Sequence, residues 1–290
     1  MIDLIENKKA ELFDIIDNAF KEDIGDGDHT SLATVPENAT GKAKLLVKDD
    51  GVLAGVELAE IIFKRLDPSL KLEVLIKDGA KVKHGDIAFY VEGSSRSILS
   101  GERLVLNFMQ RMSGIATKTN ELAKLIAHLP TQLLDTRKTT PGIRLMEKWA
   151  VQIGGGNNHR YALYDMIMIK DNHVDYAGGI KESILGTKDY LQKNNLDLKI
   201  EVETRNLDEV KAVLAVGGVD RIMLDNFSPD QIREALKIID TSKYQTEASG
   251  GITGDTILSY AETGVDFISS GALTHSYQSL DLSLKASFNY

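Results

Sequence analysis

The chain has 290 residues and no cysteine, with 34 Lys and Arg against 43 Asp and Glu, a formal net charge of -9. The absence of cysteine excludes a disulfide scaffold, a zinc–thiolate centre and a thiol nucleophile, and 42% hydrophobic with 27% charged residues excludes a disordered chain. The acidic balance argues against a nucleic-acid partner, and no apolar run approaches the roughly 18–20 residues of a membrane span. The opening MIDLIENKKAELFDII is charged and amphipathic and lacks the apolar stretch of a signal peptide. A cytoplasmic protein without membrane or nucleic-acid partners is expected, folded as one large domain or two ordinary ones.

Taken in chain order, the pattern predicts an opening helix over Asp3–Phe20, then strands at Gly41–Lys48 and Lys71–Ile76 around a helix at Val56–Leu66. Lys77–Gly93 alternates apolar and polar positions between turn signals. Such alternation also suits a lipoyl-type carrier, but no second half with a modifiable lysine follows, so a small α/β layer fits better. A long helix is expected over Ser97–His128, with Gly114 breaking or kinking it, and Pro141 is placed like the first residue of a helix at Gly142–Gln152.

From there β-prone runs recur at Gln132–Asp135, Met166–Ile169, Lys199–Val202, Arg221–Leu224, Gln245–Ala248 and Asp266–Ile268. Helical segments such as Leu207–Ala215 and Pro229–Ile239 separate most of them. Strands alternating with helices indicate βα units on a parallel sheet. The expected fold class is α/β, a TIM-like α/β barrel with fewer than eight complete strands and a smaller N-terminal α/β sandwich domain. An open doubly wound sheet competes with it, but no G-x-G-x-x-G follows a strand. The expected division is a sandwich domain over residues 1–112, to which 275–290 return, and a barrel over 113–274.

In such a barrel the chemistry sits where the strands end. The six runs end in Thr136-Arg137-Lys138, in Lys170-Asp171-Asn172-His173, at Glu201 and Glu203, in Asp225-Asn226, in Ser249-Gly250-Gly251, and in Ser269-Ser270-Gly271-Ala272. Between Thr136 and Lys170 the cations Arg137, Lys138, Arg144, Lys148, Arg160 and Lys170 face only Glu147 and Asp165. This basic stretch in an acidic chain is either a set of solvated side chains or a cleft for a polyanionic small molecule. The two Gly/Ser-rich ends aim backbone N–H groups as a phosphate requires, though ordinary βα turns use the same residues. Glu201 and Glu203, two apart on a strand, share one face. With Asp225 on the next strand they suit Mg²⁺ or a developing cation, or a structural ion pair with Lys138 or Lys170. The loop Gly154-Gly-Gly-Asn-Asn-His-Arg160 presents His159 and Arg160 as an anion clamp would. Asp23–Ser31 clusters carboxylates in the manner of a helix-capping turn rather than a metal loop.

These residues carry a family resemblance. DTRKTTPG (Asp135–Gly142), GGGNNHR (Gly154–Arg160), IKDNHV (Ile169–Val174), Val202-Glu203, LDNF (Leu224–Phe227) and ASGGI (Ala248–Ile252) occur in this order, together with DIGDGDHTS and GERLVLNFMQRMSGIAT upstream. The set closely resembles the quinolinate phosphoribosyltransferase family, over essentially the whole chain. The resemblance implies transfer of phosphoribosyl from phosphoribosyl pyrophosphate to quinolinate, with Mg²⁺, giving nicotinate mononucleotide, pyrophosphate and CO₂. It implies quinolinate contacts from Thr136, Arg137, Lys138, His159, Arg160 and Lys170, with Glu201 also at the substrate, and catalytic roles for Lys138, Lys170, Glu203 and Asp225. Glu203 and Asp225 would take the metal directly or through pyrophosphate or water. Ser249, Gly250 and Gly251, with Ser270, Gly271 and Ala272, would hold the 5-phosphate. Arg103 would reach the neighbouring subunit's site, implying a homodimer or a higher oligomer. Two alternatives stay open: a related phosphoribosyltransferase acting on another acidic base or on nicotinate without decarboxylation, and a barrel that binds a sugar phosphate without catalysis.

Overall fold

The computed structural model describes residues 4–287. The elements in order are α1 (Leu4–Asn7), α2 (Lys9–Asp23), α3 (His29–Thr34), β1 (Thr40–Val47), β2 (Gly51–Val52), α4 (Val56–Leu66), β3 (Lys71–Val74), β4 (Lys81–Val82) and β5 (Ile87–Ser94). Then come α5 (Ser95–Leu125), β6 (Gln132–Leu134), α6 (Arg144–Ile153), β7 (Ile167–Ile169), α7 (Asp171–Ala177), α8 (Ile180–Asn194) and β8 (Ile200–Thr204). The chain closes with α9 (Leu207–Val216), β9 (Arg221–Asp225), α10 (Pro229–Ile238), β10 (Gln245–Ser249), α11 (Ile257–Ala261), β11 (Phe267–Ser269), α12 (Ala272–His275) and β12 (Leu282–Ser287). No described helix is long and apolar enough to cross a membrane. The expected opening helix is interrupted at Lys8, and its first residue, Asp3, lies outside the described residues.

Two compact units form. The first takes the residues up to Asn120, Thr139–Gly155 and those from Leu273 onward. Its four-stranded antiparallel sheet has the order β12-β1-β5-β3. Alternation along β1 buries Ala43, Leu45 and Val47. These join Phe89 and Val91 of β5, Leu58, Ile62 and Phe63 of α4, and Met109 and Met112 of α5 in one core. Phe63 meets Phe89 edge to face at 6.4 Å, a geometry that aligns the positive ring edge with the negative ring face. Asp28 caps α3, accepting the backbone N–H of Ser31 at 3.0 Å and the Ser100 hydroxyl at 3.1 Å. The acidic cluster around it is therefore a helix start.

Within the same unit, Thr139–Gly155 is tied down by charge. Arg111 donates from Nε to the fully buried Glu147 at 2.8 Å, and its Nη2 reaches the Thr140 hydroxyl. The other oxygen of Glu147 accepts the backbone N–H of Thr140 at 3.0 Å. A buried carboxylate with both oxygens occupied meets the condition that makes such burial tolerable. The helix predicted to open at Pro141 instead begins at Arg144. Gly142 adopts φ 86, so the chain turns after the proline before it can enter a helix.

The second unit, Glu121–Lys138 with Gly156–Ala272, carries a six-stranded sheet in the order β6-β11-β10-β9-β8-β7, all neighbours parallel. Its helices start where the sequence supplies caps. Asn206 accepts two backbone N–H groups at the start of α9, and Ser228-Pro229 with Gln231 forms a capping box on α10. Six strands agree with the expected incomplete barrel, and hydrogen bonding does not close it. Asn157 bridges to Leu134 on the outer edge of β6, while β7 pairs only with β8 among the described residues. Register sets Glu201 beside Arg221, and Glu247 beside Met223 and Phe267.

Gly114 does not break α5, which runs without interruption past it. A Cβ at this position would run into the carbonyl oxygen of Gln278 and come within 3.0 Å of Ser279 Cα. The glycine admits a crossing backbone. At an open helical site Gly→Ala stabilises by about 1 kcal/mol. Here overpacking against main chain reverses the sign, and Gly114→Ala is expected to lose about 1–3 kcal/mol, measurable as a lower midpoint in urea unfolding. A stabilised variant would sink this account.

Candidate active site

The strand ends of the second unit gather most of the residues singled out from sequence. Lys170, just past β7, donates from Nζ to Glu203 of β8 at 2.7 Å. Glu203 is buried while Lys170 is half-exposed, so one end of the pair stays open to a ligand. Asp225 ends β9; burial and then the charge of Glu203 raise its carboxyl above its ordinary value, against Lys170. Two carboxylates and a lysine thus share one electrostatic neighbourhood. Asn226 follows with φ 57, and its Nδ2 donates to Asp225 at 2.7 Å. Gly250, φ 100, lies so close to Asn226 that a Cβ would strike its amide oxygen and come within 2.8 Å of its backbone nitrogen. The Gly-rich turn after β10 therefore has its glycine dictated by the turn after β9. Ser270, after β11, is buried, and its backbone N–H donates to Leu134 of β6 at 3.0 Å. Gly251 is exposed, and Gly271 and Ala272 are intermediate.

The basic side assembles on the turns after β6. Thr136 Oγ1 accepts the backbone N–H of Lys138 at 3.0 Å, a local turn that leaves Lys138 exposed. Arg160 is pulled below its usual pKa by burial and by the charge of Arg137, so the two guanidinium groups share one electrostatic neighbourhood. Arg160 is braced by Nη1 donation to Met166 O at 3.1 Å. Asp135, fully buried, holds the loop before it: Oδ1 accepts the His159 N–H at 2.8 Å and Oδ2 accepts Asn158 Nδ2 at 2.6 Å. Beside the edge strand β7 lies a cavity of about 440 Å³ whose lining includes Arg160, Leu163, Met168, His173 and Tyr190. It lies to the side of the strand ends. His173 Nδ1 accepts the backbone N–H of Lys170 at 2.9 Å and so serves the start of α7. Arg103 is exposed on α5 in the first unit.

Two expected ligand residues point into the protein. Glu201 is fully buried, one alternation below Glu203 on β8. His159 is also buried, and its Nε2 lies 3.0 Å from Glu201 and 3.4 Å from Glu247. Arg221 completes this floor, with Nη1 at 2.8 Å from Glu247 and 3.7 Å from Glu201 and its guanidinium 4.0 Å from the Phe267 ring centre. Burial opposes a charge on the imidazole, but the two carboxylates outweigh it and raise its pKa to about 9. The backbone N–H of Arg160 pulls the other way, donating to Nδ1 at 2.6 Å, which only an unprotonated Nδ1 can accept. We take that bond as the arrangement of the resting ring, with the proton on Nε2. The carboxylates diverge. Burial and then the charge of Glu247 raise Glu201. Glu247 stays below its ordinary value although burial opposes it, because the His159 imidazole and the Arg221 guanidinium lie against it.

His159, Glu201 and Glu247 offer three ligand atoms within 4.8 Å of one another, but Arg221 already supplies the positive charge a cation would bring. Glu203 and Asp225, hard carboxylate oxygens near the strand ends, fit Mg²⁺ better. Asp135, Arg221 and Glu247 were not picked out from sequence. Period two along Gln245–Ser249 puts Glu247 on the same face as Ser249, a signal as readable as the one that paired Glu201 with Glu203. Nothing local marks Arg221, whose partners come from β8 and β10.

The quinolinate phosphoribosyl transferase C-terminal domain family matches residues 115–285, and its N-terminal domain family matches 28–113. A Nicotiana glauca protein named quinolinate phosphoribosyltransferase [decarboxylating] 2, mitochondrial, is 47% identical over 95% of this chain and 82% of its own length. A Bacillus subtilis protein named probable nicotinate-nucleotide pyrophosphorylase [carboxylating] is 41% identical over 94% and 93%. The solved nicotinate-nucleotide pyrophosphorylase from Francisella tularensis superposes with a TM-score of 0.88 at 38% identity, covering 99% of this chain and 98% of that one. With both domain families matched in succession and such relatives along nearly its full length, this chain is a member of the quinolinate phosphoribosyltransferase family.

Proposed function

We propose that this chain transfers the phosphoribosyl group of phosphoribosyl pyrophosphate to quinolinate, with loss of the ring's 2-carboxylate, in the de novo synthesis of NAD. What carries this reading is the Lys170–Glu203 bond of 2.7 Å beside Asp225, with Arg137, Lys138 and Arg160 on the neighbouring turns of a chain of net charge -9. A dianionic acid and a polyanionic sugar repel one another, so a site for both needs concentrated cations. Thr136, Arg137, Lys138, Arg160 and Lys170 bind the two carboxylates of quinolinate, with His159 beneath them. The turns Ser249–Gly251 and Ser270–Ala272 bind the 5-phosphate, and Gly250 keeps the backbone of the first turn clear of a side chain. Arg103 completes the acid pocket of a second copy in a homodimer, and the reducing cytoplasm is the compartment that suits a chain without cysteine.

The reaction follows from charge. The C1–oxygen bond to pyrophosphate breaks as the pyridine nitrogen forms its bond to C1, and the ribose gains cationic character between the two events. Glu203 and Asp225 stabilise that cation. When bound at these carboxylates, directly or through pyrophosphate or water, Mg²⁺ offsets the charge of the leaving group. The positive ring nitrogen then accepts the electrons released when the C2–carboxylate bond breaks. CO₂ departs, and the carbon left behind takes a proton. Lys138 and Lys170 hold the departing carboxylate's charge until that step, Lys170 being fixed by its 2.7 Å bond to Glu203. A neutral nitrogen nucleophile needs no general base.

With Mg²⁺ and phosphoribosyl pyrophosphate, quinolinate is expected to yield CO₂ and nicotinate mononucleotide one for one, whereas nicotinate yields neither; chelation with EDTA should stop turnover. Product from nicotinate without CO₂ would move the assignment to a non-decarboxylating relative. Arg160→Ala should raise the quinolinate KM by about 10–100-fold, the worth of one or two charge-assisted hydrogen bonds. Its KM for phosphoribosyl pyrophosphate should change little, and an equal rise in both would remove Arg160 from the acid pocket. Gly250→Ala should do the reverse, weakening the sugar phosphate with quinolinate nearly unaffected.

A further inference from the structure

The loop that delivers Arg160 is held in two ways. From below β6, Asp135 takes the His159 N–H and the Asn158 side chain. From inside the sheet, the His159 imidazole bridges the Arg160 backbone, at Nδ1, and the carboxylates of Glu201 and Glu247, at Nε2. Neither carboxylate is free to turn toward the strand ends, because Arg221 sits against both and is itself stacked on Phe267 and bonded to Gln245 at 3.2 Å. A chain of contacts thus leads from the start of β9 to the backbone of Arg160, whose guanidinium is half-buried.

Stability alone does not account for it. Several polar atoms of the floor, both oxygens of Glu201, Oε1 of Glu247 and Nε of Arg221, are buried without a well-directed hydrogen bond. Buried charge sets so incompletely bonded are matched or bettered in stability by apolar side chains of similar volume. What apolar residues could not do is fix the rotation of an imidazole, which requires a hydrogen-bonding partner on each nitrogen. Nδ1 has the Arg160 N–H; at Nε2 the orienting groups are the Glu201 and Glu247 carboxylates, 3.0 and 3.4 Å away, and Arg221 holds Glu247 there.

We propose that Arg221 and Glu247 are positioning residues for the acid substrate: with Glu201 they lock the His159 imidazole, and through its bond to the Arg160 backbone they fix the direction in which Arg160 meets a carboxylate. The assignment of quinolinate as that acid rests on the function proposed above. Neither residue touches the substrate. Their removal acts on affinity for quinolinate and leaves the sugar phosphate, held by the turns after β10 and β11, unaffected.

Three variants test it: Glu247→Gln, Arg221→Met and the double change Arg221→Met with Glu247→Leu. Misplacing a binding group by about 1 Å costs up to roughly a hundredfold. Glu247→Gln and Arg221→Met are therefore expected to raise the quinolinate KM by about tenfold or more. The KM for phosphoribosyl pyrophosphate should stay within about twofold. The double variant, which removes the Arg221–Glu247 pair together, should regain the wild-type melting temperature but keep the raised quinolinate KM. In protein without substrate, the ¹⁵N shifts of the His159 ring should move from the Nε2–H tautomer toward a mixture in all three. A quinolinate KM that recovers together with stability in the double variant would show a purely structural floor and overturn the proposal. So would a Glu247→Gln protein with an unchanged KM, or unchanged His159 ring shifts, and these suffice should the double variant not fold. Wild-type protein that fails to turn over quinolinate would sink the substrate alone, since the ring shifts report positioning without any ligand.

Discussion

A parallel sheet that carries Glu201, Glu203, Arg221 and Glu247 on one face, three of them essentially inaccessible to water, must balance those charges internally before it can present any to a ligand. Desolvation dictates the outcome. In the lower level Arg221 answers Glu247, and the raised pKa of Glu201 marks the carboxylate least able to keep its charge. In the upper level Lys170 answers Glu203, and Asp225 is left partly open with its carboxyl pushed up. Imbalance is thus confined to the strand ends, the part of this face that is open to a ligand. The site and the interior are one electrostatic problem solved at two depths.

Position along a strand decides which depth a side chain serves. Glu201 and Glu203 are chemically identical and point to the same face, yet two residues of β8 separate a floor contact from a strand-end contact. The alternation that paired them in the sequence could not say that the first would be sealed beneath His159. Burial depth in a parallel sheet depends on stagger between strands, a non-local quantity. The same limit applies to Arg221, the first residue of β9, whose stacking on Phe267 and pairing with Glu247 come from other strands.

Much of the architecture was legible because local signals agreed. Asn206 and Ser228-Pro229 start helices where their cap chemistry says, and the β-prone runs after Gln132 all become strands of one parallel sheet. The misreadings share a cause. Gly114 and Pro141 carry strong local meanings, a helix breaker and a helix opener, and each was overruled by something distant or intervening: the main chain at Gln278 and the left-handed turn at Gly142. The strand-end motifs themselves could be ordered from the sequence, whereas the supports beneath them, Asp135, Arg221 and Glu247, come into contact only through the fold.

The sheet of the first unit has a consequence for biosynthesis. Its edge strand β12 pairs with β1 along six residues, Lys42 with Ser287 through Val47 with Leu282, so the two strands are contributed by opposite ends of the chain. A ribosome making this protein releases β1, β3 and β5 long before their last neighbour exists. Until residues 282–287 have been made, the open side of β1 is an unpaired strand edge able to template another nascent chain. The two lysines at Lys42 and Lys44 on that strand are the charge that discourages such pairing in the interval. In the second unit the wait is shorter: β6 is joined by β11, and the whole sheet lies within residues 132–269.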